Sequence, residues 1–203
     1  MSDEIKIRLP DGSTRALASG TTASGLASDI GSRLAKAAVI AVVNGEQRDL
    51  GTELVDGDEV AIITGESPEG LFTIRHSTTH VLAQAVLDLF PGATFGIGPP
   101  VEDGFYYDFE LPDGGTFVEE DLDRIDARMR QIIAESQPFV RDEMPAVKAR
   151  EVFAAHRFKL EIIDDASTDP MSATSANEIV MFSVLEPGDT LLGLELDFGG
   201  HLT

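Results

Sequence analysis

The first 64 residues carry strand and helix patterns in the order β-β-α-β-β, and this order constrains the fold most. Residues 5–10 alternate apolar and polar side chains, and Asp11-Gly12 supplies turn chemistry before a second strand, which predicts a hairpin. Further strands are indicated over 39–46, which contains an Asn-Gly turn, and over 59–64. This order suits a small sheet with one helix packed across it, which is an α+β arrangement.

The helix of this first region is predicted over residues 21–38, where Leu26, Ile30 and Leu34 recur at four-residue spacing. The segment GESPEG at 65–70 follows the last strand and is rich in Gly, Pro and acidic residues. Clusters of this kind commonly separate structural elements, so they predict a domain boundary here. The expected domains are 1–65 and 70–203.

The second region predicts a further α+β domain, with a mixed or antiparallel sheet and packed helices. Residues 93–115 are rich in Gly, Pro and aromatic residues and predict short strands joined by tight turns. A strand is indicated over FKLEII at 158–163, and beyond about residue 168 the pattern weakens. The predicted helices cover about 77–90, 119–135 and 146–156.

Composition excludes several classes of protein. The chain contains no cysteine, so disulfides, thiolate metal ligands and cysteine nucleophiles are excluded. No apolar run reaches the roughly 18 residues that a membrane span needs. The N-terminal residues lack the basic and apolar regions of a secretory signal. We therefore expect a cytoplasmic protein without a membrane partner.

The charge is strongly acidic, with 15 basic against 36 acidic residues and a formal net charge of −21. Such a surface repels a phosphate backbone, because nucleic-acid binding gains from Lys and Arg that release counterions. The alternative is an acidic surface that keeps the protein soluble in a salty cytoplasm. The charge weakens a nucleic-acid hypothesis without excluding it.

The segment RHSTTH places His76 and His80 one helical turn apart. Two imidazoles at this spacing can bind a metal, or place a base beside a second proton carrier. On a helix, the apolar stripe of Leu82, Val86 and Leu89 lies far round the cylinder from them. The competing interpretation is two polar residues at the start of an amphipathic helix, and the spacing alone leaves both open.

Other residues could join the pair, although the sequence alone does not bring them together. His201 lies near the C-terminus with Asp197 four residues before it, and Lys159 belongs to the predicted strand. His156 is expected at the surface or partly packed. A zinc-protease motif is excluded, because Ser77 stands where that motif has its glutamate. Neither a phosphate-binding loop nor a G-x-S-x-G nucleophile motif is present.

Five segments over about residues 5–165 resemble the N-terminal half of bacterial threonyl-tRNA synthetases. They are IRLPDGS, DIGSRLAKAAVIAVVNGE, IRHSTTHVLAQAVLDLFPGA, IGPPVEDGFYYDFELP and FKLEIIDD. The resemblance implies a β-grasp (TGS) domain followed by an editing domain. That domain hydrolyses serine wrongly attached to the threonine tRNA, and a related fold occurs in alanyl-tRNA synthetases.

The resemblance also implies which residues form the site. The family's editing site combines H-x-x-x-H, matched by His76 and His80, with a lysine before an apolar strand, matched by Lys159. Its final element, D-x-C-x-G-P-H, places His201 on the last histidine. This element departs from the family, because Asp197 replaces the cysteine and Glu195 replaces the aspartate. A shifted or truncated reading frame would produce such a tail.

Zinc is a possible cofactor by the same resemblance, because alanine-type relatives bind it through two histidine-containing motifs. Nitrogen and oxygen ligands of this kind are acceptable to zinc. By resemblance, the threonine branch works without the metal, so a site without a cofactor and a zinc site both stay open. The candidate ligands are His76, His80, Asp197 and His201.

By resemblance, the expected function is hydrolysis of the seryl ester on threonine tRNA, with the tRNA acceptor end as partner. The chain stops before the class II ligase core, so the family's ATP site and dimer-forming region are expected to be absent. His76 would activate water, His80 would position the terminal adenosine, and Lys159 would stabilise negative charge. The alternatives are a non-catalytic tRNA- or partner-binding module and an inactive truncated gene product.

Overall fold

A computed structural model describes residues 4–137, 139–168, 178–186 and 189–194. The chain forms two compact units, of which the first ends at Arg75 and the second begins at His76. Both combine helices with small, mainly antiparallel sheets, so the predicted α+β class is confirmed. Within these ranges no helix is both long enough and apolar enough to cross a membrane.

The first unit is a β-grasp. Its strands are β1 (Glu4–Arg8), β2 (Thr14–Ala18), β3 (Ala38–Val43), β4 (Glu46–Arg48) and β5 (Val60–Thr64). β1 pairs with β2 as the predicted hairpin, and β3 pairs with both β4 and β5. Arg8 joins the two sheets by a parallel bridge to Glu59 and donates its backbone N–H to the Asp58 carbonyl (2.8 Å). These contacts place the end of β1 beside the residue that precedes β5.

Two helices, not the single predicted helix over 21–38, cross this sheet. They are α1 (Ala23–Ile30) and α2 (Ser32–Ala37). Thr22 caps α1 by accepting a hydrogen bond from the Gly25 backbone (3.2 Å), and the extended backbone at Gly31 ends the helix. Leu26 is fully buried and Ile30 packs against the same core. The four-residue spacing therefore identified the core face of α1, but Leu34 lies beyond the break, on α2, which has no buried residue.

The long helix α3 (Pro68–Leu89) begins nine residues before the predicted start at 77. The side chain of Ser67 accepts a hydrogen bond from the Gly70 backbone (3.0 Å), and Pro68 occupies the first helical position. The segment 65–70 therefore leads into a helix and is not wholly a loop. The domain limits 1–65 and 70–203 remain predictions.

The second unit continues with short paired strands and a three-stranded antiparallel sheet. The short strands are β6 (Thr94–Phe95), β7 (Pro100–Val101), β8 (Gly104–Phe105) and β9 (Phe109–Glu110), with β6 paired to β9 and β7 to β8. The larger sheet has the order β10 (Phe139–Pro145), β11 (Glu178–Glu186), β12 (Asp189–Leu194). β11 and β12 lie where the sequence pattern is weak, and neither was predicted.

The described part of this unit contains three further α-helices: α4 (Glu119–Glu135), α5 (Ala146–Val152) and α6 (Arg157–Thr168). The predicted helix over 119–135 is confirmed, and the helix near 146–156 is shorter than expected. The predicted strand over 158–163 is wrong, because these residues form the start of α6. Ile163 is buried and Leu160 packs against the same core, a three-residue spacing that a helix places on one face.

α3 is buried on two sides. Ala85 and Val86 pack in one core with Ile125 and Ile132 of α4. On another side, Ala83 packs against Phe95 of β6 in a second cluster. A helix that is covered on more than one face loses simple amphipathic patterning, so its sequence does not reveal both buried faces.

A close approach near β6 makes Gly98 sensitive to substitution. A Cβ atom at Gly98 would overlap the ring of Tyr107, which stands edge-on to Phe95 (5.8 Å between ring centroids). We expect Gly98→Ala to lower the free energy of unfolding by about 1–3 kcal/mol, because a packed ring must shift. Urea unfolding followed by circular dichroism measures this.

Gly96→Ala is the matched control, because a Cβ at Gly96 would lie 3.7 Å from the Cβ of Asp108, an ordinary contact. Its unfolding free energy should stay within about 1 kcal/mol of the parent value. Equal losses in the two variants would contradict the close packing of Gly98 on Tyr107.

Candidate functional site

His76 and His80 lie on successive turns of α3, and their ring centroids are 5.0 Å apart with a 35° tilt. The Thr79 hydroxyl donates a hydrogen bond to the His76 carbonyl (2.7 Å). His76 is half-buried and His80 is only 7% exposed. The pair lies away from the face packed on α4, as expected, but His80 is enclosed by other parts of the unit.

Lys159 lies in the first turn of α6 and is 3% exposed. Its Nζ donates a hydrogen bond to the Gly96 carbonyl (3.0 Å) and stands 4.7 Å from the centroid of the Phe95 ring. A buried ammonium is costly unless such partners compensate for lost water. The carbonyl and the aromatic face therefore hold a positive charge inside the second unit.

Electrostatic interactions join these three side chains. Burial, together with the positive charges of His76 and Lys159, lowers the pKa of His80 to about 3. Burial lowers the pKa of Lys159 to about 8. At pH 7 His80 is therefore neutral, whereas Lys159 is mostly protonated. The structure brings together three of the four side chains expected to form the site.

The fourth, His201, lies outside the described residues, as do Asp197 and Glu195. The proposed closing part of the site is therefore not described. Among the described residues, no group of three or more His, Cys, Asp or Glu side chains could hold a metal ion. Zinc binding by His76 and His80 stays a prediction, because the other two candidate ligands are not described.

Aromatic side chains that the sequence did not single out surround Lys159. Phe95 contacts both Tyr107 and His156, with 5.8 Å between ring centroids in each case. His156 is half-buried, within the expected range, and burial together with the charge of Lys159 lowers its pKa. Burial raises the pKa of Tyr107, so this phenol stays neutral. The neighbourhood of Lys159 is therefore largely apolar, which strengthens electrostatic interactions within it.

A cavity of about 540 Å³ lies beside this cluster. Its lining residues come from β9, the loops around it and the start of α6, and they include Gly96, Asp108, Glu161 and Ile162. Arg157 and Glu110 form an ion pair (3.0 Å) at its wall. Of the described residues that line it, none is a candidate site side chain. Gly96, which accepts the Lys159 hydrogen bond, connects the cavity with the site.

Comparisons with known proteins match both parts of the chain. Residues 5–64 match the TGS domain family. The chain is 44% identical to threonine–tRNA ligase of Rubrobacter xylanophilus over 166 residues, which are 82% of this chain and 26% of the relative. It is 46% identical to threonine–tRNA ligase of Pelobacter propionicus over 176 residues, 86% of this chain and 27% of the relative.

A third relative gives the same result. Threonine–tRNA ligase of Mycobacterium avium is 43% identical over 174 residues, 83% of this chain and 25% of the relative. The chain thus spans about a quarter of the length of the curated relatives that it matches.

Proposed function

Since this chain has a TGS domain and is related to the N-terminal region of bacterial threonine–tRNA ligases, we propose that it edits mischarged tRNA. The reaction is hydrolysis of the seryl ester on threonine tRNA. One observation carries the proposal: a buried, mostly protonated Lys159 interacts with a neutral buried His80, whose ring lies 5.0 Å from that of His76. This arrangement supplies a cation and two imidazoles to one site.

The chemical need for such a site follows from the two amino acids. Serine lacks one methyl group of threonine, and a missing methyl group is worth only about 1–3 kcal/mol in a binding pocket. That difference corresponds to about 10- to 200-fold discrimination, so a synthesis site alone mischarges tRNA. A second site that admits serine but excludes threonine by size removes the error.

The proposed reaction begins when water attacks the carbonyl carbon of the seryl ester. His76 accepts a proton from this water, and the carbonyl oxygen becomes an oxyanion. Collapse of the tetrahedral intermediate breaks the bond to the ribose oxygen, and His76 returns to this oxygen the proton that it accepted from water. The products are free serine and an uncharged tRNA.

Lys159 stabilises the oxyanion in this proposal. Its Nζ already carries a positive charge in most molecules at pH 7 and is held at a defined place by the Gly96 carbonyl. A preorganised cation in an apolar environment favours a developing negative charge more strongly than water does. His80 remains neutral and positions the ribose of the terminal adenosine, because a neutral imidazole can donate one hydrogen bond and accept another.

The experiment measures hydrolysis of Ser-tRNA by the purified chain and by His76→Ala. We expect the parent chain to release serine and the variant to be about a hundredfold slower, the size of a lost general base. Gln131→Ala is the control, because Gln131 is an exposed residue of α4 in the same unit. Its rate should equal that of the parent.

Two results would contradict the proposal: equal rates for the parent chain and His76→Ala, or no release of serine by the parent. The altered final motif favours a second candidate, a module that binds tRNA or a protein partner without catalysis. Binding of Ser-tRNA without hydrolysis would support that alternative. Asp197, which stands in place of the family's cysteine, is the residue that motivates it.

A further inference from the structure

Gln84 is a buried polar residue that the proposed reaction has not used. It lies on α3 one turn beyond His80 and is 6% exposed. Its Oε1 is buried, and the described residues provide it with no hydrogen-bond partner. An acceptor in this state costs free energy, and each such atom in a native structure requires an explanation.

The position of Gln84 on α3 places it beside the site. His80, Gln84 and Leu87 follow one another at spacings of four and three residues, so a helix puts them on one face. Leu87 packs with Phe95, and the Phe95 ring lies under the ammonium of Lys159. The orphan amide oxygen therefore belongs to the same neighbourhood as His80 and Lys159.

Among the described residues, this neighbourhood supplies a strong cationic donor but no carboxylate acceptor. Lys159 can only donate hydrogen bonds, and the neutral imidazole of His80 has a single acceptor nitrogen. Within the described part of the chain, no carboxylate contributes to the pKa of His80 or Lys159. A seryl ester brings a cationic donor of its own, the α-ammonium group. The buried neutral oxygen of Gln84 is an acceptor that suits this donor.

We propose that Gln84 is a specificity-determining residue, whose amide oxygen accepts a hydrogen bond from the α-ammonium of the seryl group. This inference rests on the proposed function, and it specifies the substrate class as aminoacyl esters with a free α-amine. An ester whose amine is acylated has lost the charge and most of the donor capacity that the oxygen recognises. The chain therefore hydrolyses Ser-tRNA faster than N-acetyl-Ser-tRNA.

The test compares Gln84→Met with the parent chain on both substrates. Methionine has about the length of glutamine but no strong acceptor. We expect kcat/KM for Ser-tRNA to fall about tenfold or more, as for a lost hydrogen bond to a charged group. The rate with N-acetyl-Ser-tRNA should stay unchanged, so the preference for the free amine disappears. The urea midpoint of Gln84→Met should equal or exceed that of the parent, because an unsatisfied buried group has been removed.

Two further variants complete the experiment. Gln84→Glu keeps an acceptor oxygen at a similar reach and should retain the preference for the free amine. Gln131→Met makes the same change at the exposed glutamine of α4 and should alter neither the preference nor the rates. If Gln84→Glu keeps the preference for the free amine and Gln131→Met behaves like the parent, the results support recognition by an acceptor at position 84.

The outcomes separate this inference from the proposed function. If Gln84→Met keeps the parent's preference, the inference is overturned while editing stands. If Gln84→Met loses activity equally on Ser-tRNA and N-acetyl-Ser-tRNA and is also less stable, Gln84 has only a structural role. The inference is again overturned in that case. If the parent hydrolyses neither substrate, both proposals are overturned.

Discussion

Lys159→Met is expected to make the chain more stable at pH 7 and at the same time inactive in editing. The pKa of Lys159 is lowered from 10.5 to about 8 by burial, so the folded state holds its ammonium at a cost. One pKa unit corresponds to about 1.4 kcal/mol, and methionine avoids the burial of a charge. The substitution also removes the contacts with Gly96 and Phe95. We therefore expect the free energy of unfolding of Lys159→Met to exceed that of the parent by about 2 kcal/mol at pH 7.

The stability gained in Lys159→Met depends on pH, and the direction of this dependence shows that it comes from the buried ammonium. Because the folded pKa is lowered, the unfolded chain binds more protons than the folded chain between about pH 8 and 10.5. The stability of the parent therefore rises with pH in this window, relative to a variant without the amine. The advantage of Lys159→Met should narrow by about 2 kcal/mol between pH 7 and pH 10.

Urea unfolding at the two pH values measures this difference. Lys148→Met is the matched control, because Lys148 is exposed on α5 and its replacement should change stability little at either pH. A loss of stability in Lys159→Met at pH 7, or an effect independent of pH, would show that Lys159 is not held as a costly buried cation.

Editing should change in the opposite direction to stability. If Lys159 stabilises the oxyanion, its replacement lowers the rate of Ser-tRNA hydrolysis by about a hundredfold to a thousandfold. A lysine kept for structure would not combine greater stability on removal with lost activity. A more stable variant with full editing activity would exclude the assigned role.

Local patterns predicted those elements whose determinants are local. The hairpin of β1 and β2 follows from alternation and the Asp11-Gly12 turn, and α4 follows from apolar repeats with acidic residues at its start. The start of α3 was missed because Ser67 and Pro68 suit both a linker and a helix N-terminus. Lys159 was predicted to lie in a strand over FKLEII, whereas it is the third residue of α6 and is buried.

The site shows the same limit. The spacing of His76 and His80 placed them on one helix face from sequence alone. Lys159, in contrast, was assigned to the site only through the family resemblance. Its hydrogen bond to Gly96 joins residues 63 positions apart, which no local pattern encodes. Burial of Gln84 likewise depends on the second packed face of α3. A polar residue four positions after a candidate histidine, on the same helix face, is a sequence signal that could have indicated it.

His80 should make the chain sensitive to acid. Its pKa is lowered from 6.5 to about 3, first by burial and then by the charges of His76 and Lys159. A lowered histidine pKa means that the unfolded chain binds more protons between about pH 3 and 6.5. The stability that neutral His80 contributes is therefore complete above pH 6.5 and is lost as the pH falls.

We expect the His80 contribution to the free energy of unfolding to fall by about 2 kcal/mol between pH 7.5 and pH 5. His80→Gln should not show this fall. Comparison of the two chains cancels the titration of carboxylates, and pH 5 stays above the isoelectric point of about 4.3. Unfolding free energies from urea titrations give the difference directly. Equal pH dependence in both chains would contradict the burial of a neutral imidazole at position 80.

The coupling between the two buried groups provides a stricter test. Removal of the Lys159 charge removes one of the three causes that lower the pKa of His80, so this pKa rises in Lys159→Met. The folded form of Lys159→Met then takes up the His80 proton at a higher pH than the parent, so its loss of stability levels off at a higher pH as the pH falls toward 3, whereas Lys148→Met should leave this pH unchanged. Because the two side chains come from α3 and α6, such coupling requires that they share one site. Independent effects of the two substitutions would place them in separate environments and leave the proposed oxyanion site without its cation.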